Sequence, residues 1–321
     1  MTFEELYNKF LQYKKNRVKR STYNQYNIYI KEFLEKFKNK DIKKISFVHI
    51  QGFFDEFSKT RTYKTVNIIK NVIRSVFKYG FKYDLNSEEK MLLFDKLDII
   101  KKNNKNPLAL IEKKEEKNKI YTLDDLNSLF SQIKISEEEK FVYIFGLMTG
   151  MRVGEILALC WQDINFNESY ISVNKTLAND KKNNCFYLDT PKTENSIRKV
   201  YISEKLKELL LKYKSLQDFN KSYFESLYEK SKLDFVFRMR IGRHITQNIL
   251  SLTIRKIKNI DKNFHFHLLR HSFISQMVNS EVNILYVSRI VGHSNSTITE
   301  KIYSHIQESK IKEVMLNAKI S

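Results

Sequence analysis

The sequence predicts a mainly α-helical protein of two domains with one small antiparallel β-sheet, an α+β fold. The chain has 321 residues, and at roughly 100 to 200 residues per domain this length suits two domains. Only 7 glycines and 2 prolines are present, which argues against an architecture of many tight turns and favours long helices. Apolar residues make up 42% of the chain, enough for a sizeable core, and most of them recur at helical spacing.

Residues 1–106 are predicted to form a bundle of short helices. Their periodicity places helices at 2–15, 21–38, 46–58, 62–80 and 86–99. The fourth helix has an apolar stripe at spacings of three and four, formed by Val66, Ile69, Ile73, Val76 and Phe77. Its other faces have the basic residues Lys64, Lys70, Arg74 and Lys78. We interpret these four as candidates for binding a polyanion, and the alternative is that they are ordinary solvated side chains.

A polar stretch over residues 107–120 is predicted to be a linker, and residues 121–321 a second, mixed domain with a C-terminal tail. Thr122 and Asp125 have the spacing of a helix N-cap and its capping-box acid, and buried helices are expected at 141–148 and 153–160. Strand-like alternation is found at 169–173, 185–188 and 199–202, with polar residues 178–184 as a hairpin tip. Further helices are predicted at 203–217, 246–260, 267–279, 283–291, 296–303 and 308–318.

The net charge and the number of cysteines exclude several classes of protein. The net charge is +20, of which residues 1–106 contribute +12 and residues 107–321 contribute +8, and such an excess attracts nucleic acid or an anionic membrane surface. The longest nearly apolar stretch, 141–151, is about half of the ~20 residues that a membrane-spanning helix needs. The N-terminus is acidic, unlike a secretory signal, and Cys160 and Cys185 are too few for a disulfide framework. We therefore expect a cytoplasmic protein.

Two blocks near the start of the second domain contain charged residues suited to chemistry. In block 149–155, Arg152 and Glu155 begin a helix, and Glu155 can hold the guanidinium while it faces an anion. The alternative is a simple Arg–Glu helix pair. In block 190–198, Lys192 lies in a polar turn between two predicted strands, where most lysines are merely solvated.

Two further blocks lie in the C-terminal helices. Block 265–271 places His267 and Arg270 on one helix face, and His271 is one turn after His267. This spacing also suits zinc, although the His-Glu-x-x-His motif is absent, and a plain histidine cluster is a further alternative. Block 291–305 contains Gly292-His293 and Tyr303, and Tyr303 taken alone is one of 18 tyrosines.

In combination, the four blocks resemble the catalytic signature of the tyrosine recombinase family, which includes phage integrases and Xer-type recombinases. The signature is the ordered set Arg152, Lys192, His267-x-x-Arg270, Gly292-His293 and Tyr303. The resemblance covers residues 120–321 strongly, whereas residues 1–100 match the family's SAM-like core-binding domain only in size and helical character. It implies an N-terminal core-site DNA-binding domain, with Lys64, Lys70, Arg74 and Lys78 as DNA contacts, followed by a catalytic domain.

The resemblance also implies a role for each site residue. The activating residues are Arg152, Lys192, His267, Arg270 and His293; Tyr303 is the nucleophile and Glu155 helps to position the site. The chemistry is consistent with these roles, because two guanidinium groups match the charge of a phosphodiester and can replace a metal ion. A neutral phenol is a poor nucleophile near pH 7, so Tyr303 needs a proton acceptor such as His267, while Lys192 can protonate the leaving 5′ oxygen. The expected product is a 3′-phosphotyrosine link that needs no ATP, metal or other cofactor.

The sequence favours an integrase of a phage or mobile element. The run from Arg152 to Lys192 is longer than in compact Xer recombinases, and Tyr303 follows His293 by ten positions. Alternatives are a Xer-like resolvase of chromosome or plasmid dimers, a catalytically silent DNA-binding regulator, and a zinc-dependent hydrolase.

The resemblance also predicts the partners of the protein. They are a double-stranded DNA core site, further copies of the chain in a homo-tetramer on two paired sites, and accessory DNA-bending proteins, and the protein would be associated with the nucleoid. An apolar stripe in the tail is consistent with docking on a neighbouring copy, the alternative being packing within its own chain; it consists of Ile311, Val314, Met315, Ala318 and Ile320.

Overall fold

The computed structural model describes residues 1–88, 92–99, 119–180, 185–190 and 197–292. The chain forms two compact units, one of Met1–Pro107 with Asp180–Asn184 and one of Leu108–Asn179 with Cys185–Ser321. Each unit has its own hydrophobic core. The predicted class, mainly helical with a small antiparallel sheet, is confirmed. The proposed linker at 107–120 lies outside the described residues except for its last two positions.

Four α-helices build the described part of the first unit, and they match the first four predicted helices to within two residues. They are α1 (Phe3–Lys14), α2 (Arg20–Phe37), α3 (Phe47–Thr60) and α4 (Tyr63–Lys82). A capping box starts α1, since Thr2 Oγ1 accepts from Glu5 N at 3.2 Å and Glu5 Oε2 accepts from Thr2 N at 2.9 Å. The predicted apolar stripe of α4 is buried along its whole length. Phenylalanines from all four helices meet in this core, and burying each stabilises the fold by about 1.5–3 kcal/mol.

The predicted fifth helix over 86–99 is wrong in its second half. Residues 93–99 form a turn and a bend followed by irregular chain. The Gln51 side chain provides the reason, because it accepts from Asp98 N at 3.1 Å and donates to Asp98 O at 2.8 Å. These bonds satisfy backbone groups that would otherwise need a helix.

The second unit begins with three helices, α5 (Leu123–Ser131), α6 (Glu137–Thr149) and α7 (Val153–Leu157). The predicted capping box at Thr122 and Asp125 is present, with N···O distances of 3.2 and 2.8 Å. Helix α7 ends earlier than the predicted 160, because Cys160 N donates to Asp163 Oδ2 at 2.8 Å and Cys160 forms a β-bridge with Phe235.

Five short strands follow, namely β1 (Ile164–Asn165), β2 (Tyr170–Val173), β3 (Thr176–Asp180), β4 (Cys185–Asp189) and β5 (Arg198–Tyr201). The order β1-β2-β5 forms one antiparallel sheet, with Ile171 opposite Val200, and β3 pairs with β4 in a second sheet. The predicted hairpin tip at 178–184 is too long, because residues 178–180 belong to β3. Pairing with β4 extends this strand although its sequence lacks clear alternation.

Four helices complete the described part of the second unit: α8 (Glu204–Phe224), α9 (Gln247–Lys258), α10 (His267–Asn279) and α11 (Ile284–Val291). Helix α8 runs past the predicted end at 217, because Gln217 is buried and accepts from Trp161 Nε1 at 2.8 Å. The predicted helices at 296–303 and 308–318 lie outside the described residues. No helix in the described ranges has both the length and the apolar character needed to cross a membrane.

Candidate active site

The corner between α6 and α7 positions the first predicted pair. Gly150 ends α6 in a left-handed conformation, with φ of 62°, and Arg152 is then the N-cap of α7. Arg152 Nη1 donates to Glu155 Oε1 at 2.8 Å, and Arg152 N donates to Oε2 at 3.0 Å. Glu155 is buried, whereas the Arg152 side chain is 39% exposed. The structure therefore brings this pair together and leaves one side of the Arg152 guanidinium accessible.

A second arginine, Arg198, shares the same carboxylate, and our sequence reasoning missed its role. Its Nη2 lies 2.9 Å from Glu155 Oε2 and its Nη1 3.3 Å from Oε1. Burial alone would raise the pKa of Glu155, but the hydrogen bonds and charges of Arg198 and Arg152 outweigh it and hold this pKa below its usual value. A signal was present in the sequence, because Arg198 is two positions before the buried Val200 of β5. Residues two apart in a strand lie on the same face, so Arg198 lies on the inner face of β5.

Helix α11 ends beside these arginines. Gly292 caps it with φ of 67°, and Arg152 Nη2 donates to Gly292 O at 2.9 Å. The left-handed backbone conformation favours glycine here, and a Cβ at Gly292 would lie 3.0 Å from Arg198 Nη1, so the arginine would have to shift slightly to admit it. The predicted Gly292-His293 pair thus starts at a position that contacts both arginines.

Arg270, on α10, is almost fully buried with a relative exposure of 1%. Its Nη1 donates to Gly150 O at 2.8 Å, while Nε and Nη2 have no hydrogen-bond partner among the described residues. Burial, followed by the charge of Arg152, lowers the pKa of Arg270 to about 9, so the group remains cationic at neutral pH. A buried cation with two unpaired nitrogens is costly unless an anion binds it.

The three histidines at and just before the start of α10 all have a pKa below the usual value for histidine. Burial, followed by the neighbouring His271 and Arg270, lowers the pKa of His267 to about 4. Burial also lowers the pKa of His271 and of His265. The rings of His267 and His271 meet edge to face, with centroids 4.6 Å apart. Because its pKa is about 4, His267 is a neutral imidazole at pH 7. Its side chain is also accessible to solvent, so it can accept a proton.

Across the described ranges, no group of three or more His, Cys, Asp or Glu side chains is arranged to hold a metal ion. The cluster instead combines three guanidinium groups, from Arg152, Arg198 and Arg270, with the single carboxylate of Glu155. Its net charge is positive, which suits an anionic ligand.

Several predicted residues lie outside the described residues. They are Lys192, His293, Tyr303 and the apolar stripe of the tail. In the sequence, Lys192 lies between β4 and β5, six positions before Arg198.

The basic residues of α4 spread over about 120° of the helix circumference, with Lys64 about 40° from Lys78. Lys70, Arg74 and Lys78 recur every four residues on one face, and Arg74 forms an ion pair with Asp95 at 2.7 Å. Lys64 is six positions before Lys70 and therefore lies about 120° around the helix from it. Lys64 and Lys78 are exposed. The four residues do not form a single row.

Comparison with known protein families matches residues 113–310 to the phage integrase family. Residues 2–58 match its N-terminal SAM-like domain. One relative is a XerC-like tyrosine recombinase of Caldanaerobacter subterraneus, 27% identical over 273 residues, which cover 82% of this chain and 68% of the relative. Another is the ICEBs1 integrase of Bacillus subtilis, 28% identical over 305 residues, which cover 91% of this chain and 75% of the relative.

A solved structure extends the likeness to the fold of almost the whole chain. It is the Tn1549 transposon integrase in complex with transposon right end DNA, with a TM-score of 0.73 and 21% identity over 99% of this chain and 100% of the other. At this identity the likeness shows the fold. The resemblance that the sequence motifs predict is confirmed by the family match, which spans more than half of the chain. The protein belongs to the phage integrase family of tyrosine recombinases.

Proposed function

We propose that the protein is a site-specific DNA recombinase that cleaves and rejoins strands through a 3′-phosphotyrosine intermediate. The observation that carries this proposal is the buried guanidinium of Arg270, two of whose nitrogens have no partner in the described part of the chain, in a cluster of net positive charge. A scissile phosphate would satisfy those nitrogens and neutralise the cluster. Arg270 and the exposed side of Arg152 would together stabilise the charge that develops on the non-bridging oxygens.

The proposed reaction balances without a metal or ATP. The Tyr303 hydroxyl attacks the phosphorus and gives its proton to neutral His267, while the bond from phosphorus to the 5′ oxygen breaks. Lys192 protonates that leaving oxygen, and His293 donates to a non-bridging oxygen. In the reverse step, the 5′ hydroxyl of a second strand attacks the phosphotyrosine and releases Tyr303. The phosphodiester bond energy is conserved in the tyrosyl link, which explains why no other energy source is needed.

Double-stranded DNA is the proposed partner, held by residues 1–106 and by the catalytic domain at 121–321. The net charge of +12 on residues 1–106 supports this role, as does the DNA in the complex of the Tn1549 integrase. Lys64, Lys70 and Lys78 on α4 are the proposed phosphate contacts. Arg74 is a weaker candidate because Asp95 already neutralises it. A homo-tetramer on two paired sites, assisted by accessory DNA-bending proteins, remains part of this proposal.

Integration of a mobile element is the role that we propose for the recombinase. The ICEBs1 integrase is similar to 91% of the chain, and the Tn1549 integrase has the same fold. Resolution of chromosome or plasmid dimers is the second candidate, favoured by the similarity to the XerC-like recombinase. The DNA around the gene distinguishes them, because the ends of an element beside an attachment site indicate integration.

Trapping the covalent intermediate tests the proposed chemistry. The purified protein is incubated in EDTA with short duplexes that tile the DNA flanking its gene, each with one nick, so that the cleaved fragment diffuses away. We expect an adduct of protein and DNA that survives denaturing electrophoresis. Binding without any adduct would support the silent regulator, and cleavage that requires added zinc would support the hydrolase.

Two tyrosine variants identify the nucleophile in the same assay. Tyr303→Phe should abolish the adduct and leave DNA binding nearly unchanged. Tyr286→Phe is the matched control, because Tyr286 is 61% exposed on α11, and this variant should form the adduct at the wild-type rate. An adduct in Tyr303→Phe would overturn the assignment.

A further inference from the structure

We propose that Arg198 is a positioning residue that orients Arg152 and the end of α11 for cleavage of the phosphodiester. The proposal rests on the proposed function, because it concerns how the same site is held in place. Arg198 is outside the predicted catalytic set, and it follows Lys192 by six positions.

The first support is the fork between Arg198 and Glu155. Both side chains are nearly inaccessible, at 7% and 3% exposure, and both carboxylate oxygens accept from the guanidinium. A planar bidentate pair fixes the orientation of a carboxylate more tightly than one contact does. The same two oxygens also accept from the Nη1 and the backbone N–H of Arg152. The orientation of Arg152 therefore depends on Arg198 through Glu155.

The second support is the contact of Arg198 with the end of α11. Its Nε donates to Ile290 O at 2.7 Å, and its side chain lies so close to Gly292 that an added Cβ there would be 3.0 Å from Nη1. Arg152 Nη2 donates to Gly292 O in turn. These hydrogen bonds form a closed ring. Arg198 on β5 bonds to Glu155 on α7 and to the end of α11, and Arg152 bonds to the same carboxylate and to the end of α11. His293 follows Gly292 directly in the sequence.

The bonding of Arg198 also separates its role from that of Arg270. All three nitrogens of the Arg198 guanidinium bond to protein groups. Arg270 has two nitrogens without a partner among the described residues. Arg270 is therefore suited to bind the phosphate itself, whereas Arg198 acts through the residues that it holds.

Lysine cannot replace this function, because one ammonium group cannot bond to both carboxylate oxygens and to Ile290 O in the same planar geometry. Arg198→Lys keeps the positive charge beside Glu155 and so limits the damage to the fold. A displacement of about 1 Å in a catalytic group costs roughly 100-fold in rate. We expect Arg198→Lys to lower the rate of adduct formation at saturating DNA by about 10- to 100-fold, with less than about a threefold change in the Kd for DNA.

The test compares two nicked duplexes of the cleaved site, one natural and one with a methylphosphonate at the scissile position. The neutral methyl group replaces a charged oxygen, so the reaction depends less on an oriented Arg152. The defect of Arg198→Lys should shrink to less than about threefold on this substrate. A defect that arises from general loosening of the fold would be equal on both substrates, and that result would overturn the proposal.

The matched control is Lys199→Met, which removes a positive charge from the neighbouring, exposed position of β5. It should cleave both substrates at wild-type rates. Thermal melting of each variant shows whether it is folded. The double variant Arg198→Met with Glu155→Gln removes both charges of the pair. It should have a higher melting temperature than Arg198→Met and still cleave the natural duplex slowly. Cleavage by Arg198→Lys within about threefold of wild type would overturn the inference alone. Failure of the wild type to form any adduct would overturn the proposed function and this inference together.

Discussion

The basic side chains of α4 and the arginines around Glu155 are similar in charge but differ in their surroundings. On α4, Lys64 and Lys78 are exposed to water. Around the site, Arg198 and Arg270 are nearly inaccessible. Within the ranges that the structure describes, Arg198 bonds through every guanidinium nitrogen, whereas Arg270 bonds through one.

This difference separates two uses of positive charge. An exposed lysine keeps its hydration, so it costs little to place and a neighbouring lysine can substitute for it. A buried guanidinium loses its hydration and persists only where fixed partners or a ligand compensate. We therefore expect changes on α4 to alter binding gradually and changes around Glu155 to stop the chemistry.

Replacing Arg270 should have the largest effect. Arg270→Met removes the proposed phosphate ligand and should slow adduct formation at saturating DNA by about 1,000-fold. It also removes an incompletely paired buried cation, so the melting temperature should stay the same or rise. Arg238→Met is the matched control, since Arg238 is also buried but donates to Gly242 O at 2.6 Å, and this variant should lose stability and still form the adduct. A normal cleavage rate in Arg270→Met would contradict the comparison.

Replacing Glu155 should have the next largest effect, seen in stability. Glu155→Gln leaves Arg152 and Arg198 without their shared carboxylate, and breaking a buried pair costs about 3–5 kcal/mol of unfolding free energy. Because the folded pKa lies below the unfolded value of about 4.3, the stabilisation is complete above that value and is lost as the pH falls through the folded pKa. Urea unfolding at pH 7 and at lower pH measures both. Glu137→Gln, at an exposed ion pair with Lys140, should change stability by less than about 1 kcal/mol.

Local patterns predicted most of the described helices and the capping box at Thr122 and Asp125, because a helix stripe or a capping box depends on neighbours a few positions away. Arg198 was missed because its partners, Glu155 and Ile290, are 43 and 92 positions away. The same reason applies to the extension of α8 through Gln217 and to the turn that Gln51 stabilises at Asp98. Patterns of charge in one segment do not reveal such tertiary partners. They also did not separate Arg74, which Asp95 neutralises, from the freely exposed lysines of α4.

The pH dependence of cleavage tests the lowered pKa of His267. The pKa of His267 is lowered to about 4, so the ring remains a competent base below pH 6. The adduct rate of the wild type should therefore fall by less than about twofold between pH 7.5 and pH 5.5, whereas a base with the usual pKa of about 6.5 would lose roughly tenfold. Single-turnover rates at saturating DNA measure this. An inflection near pH 6.5 that disappears in His267→Gln would contradict the lowered pKa.

Gly292→Ala tests the contact at the end of α11 and should have a smaller effect. An added Cβ would occupy a left-handed backbone position and approach Arg198, so we expect a loss of about 1–2 kcal/mol in unfolding free energy. Gly52→Ala is the control, since nothing lies within 4 Å of a Cβ there, and α3 should gain slightly in stability. Equal melting temperatures for the two variants would show that Gly292 is not constrained by its surroundings.

Single changes on α4 should have the smallest effect. If Lys78 contacts a phosphate, Lys78→Gln removes one such contact and should reduce the slope of log Kd against log salt by about 0.9, with no change in the cleavage rate at saturating DNA. Arg74→Gln should change the slope less, because Asp95 already neutralises Arg74. Lys64→Gln should reduce the slope by a similar amount, since Lys64 lies only about 40° around the helix from Lys78 and both are exposed on the same side of α4. A loss of cleavage at saturating DNA in Lys78→Gln would remove the distinction between binding charge and catalytic charge.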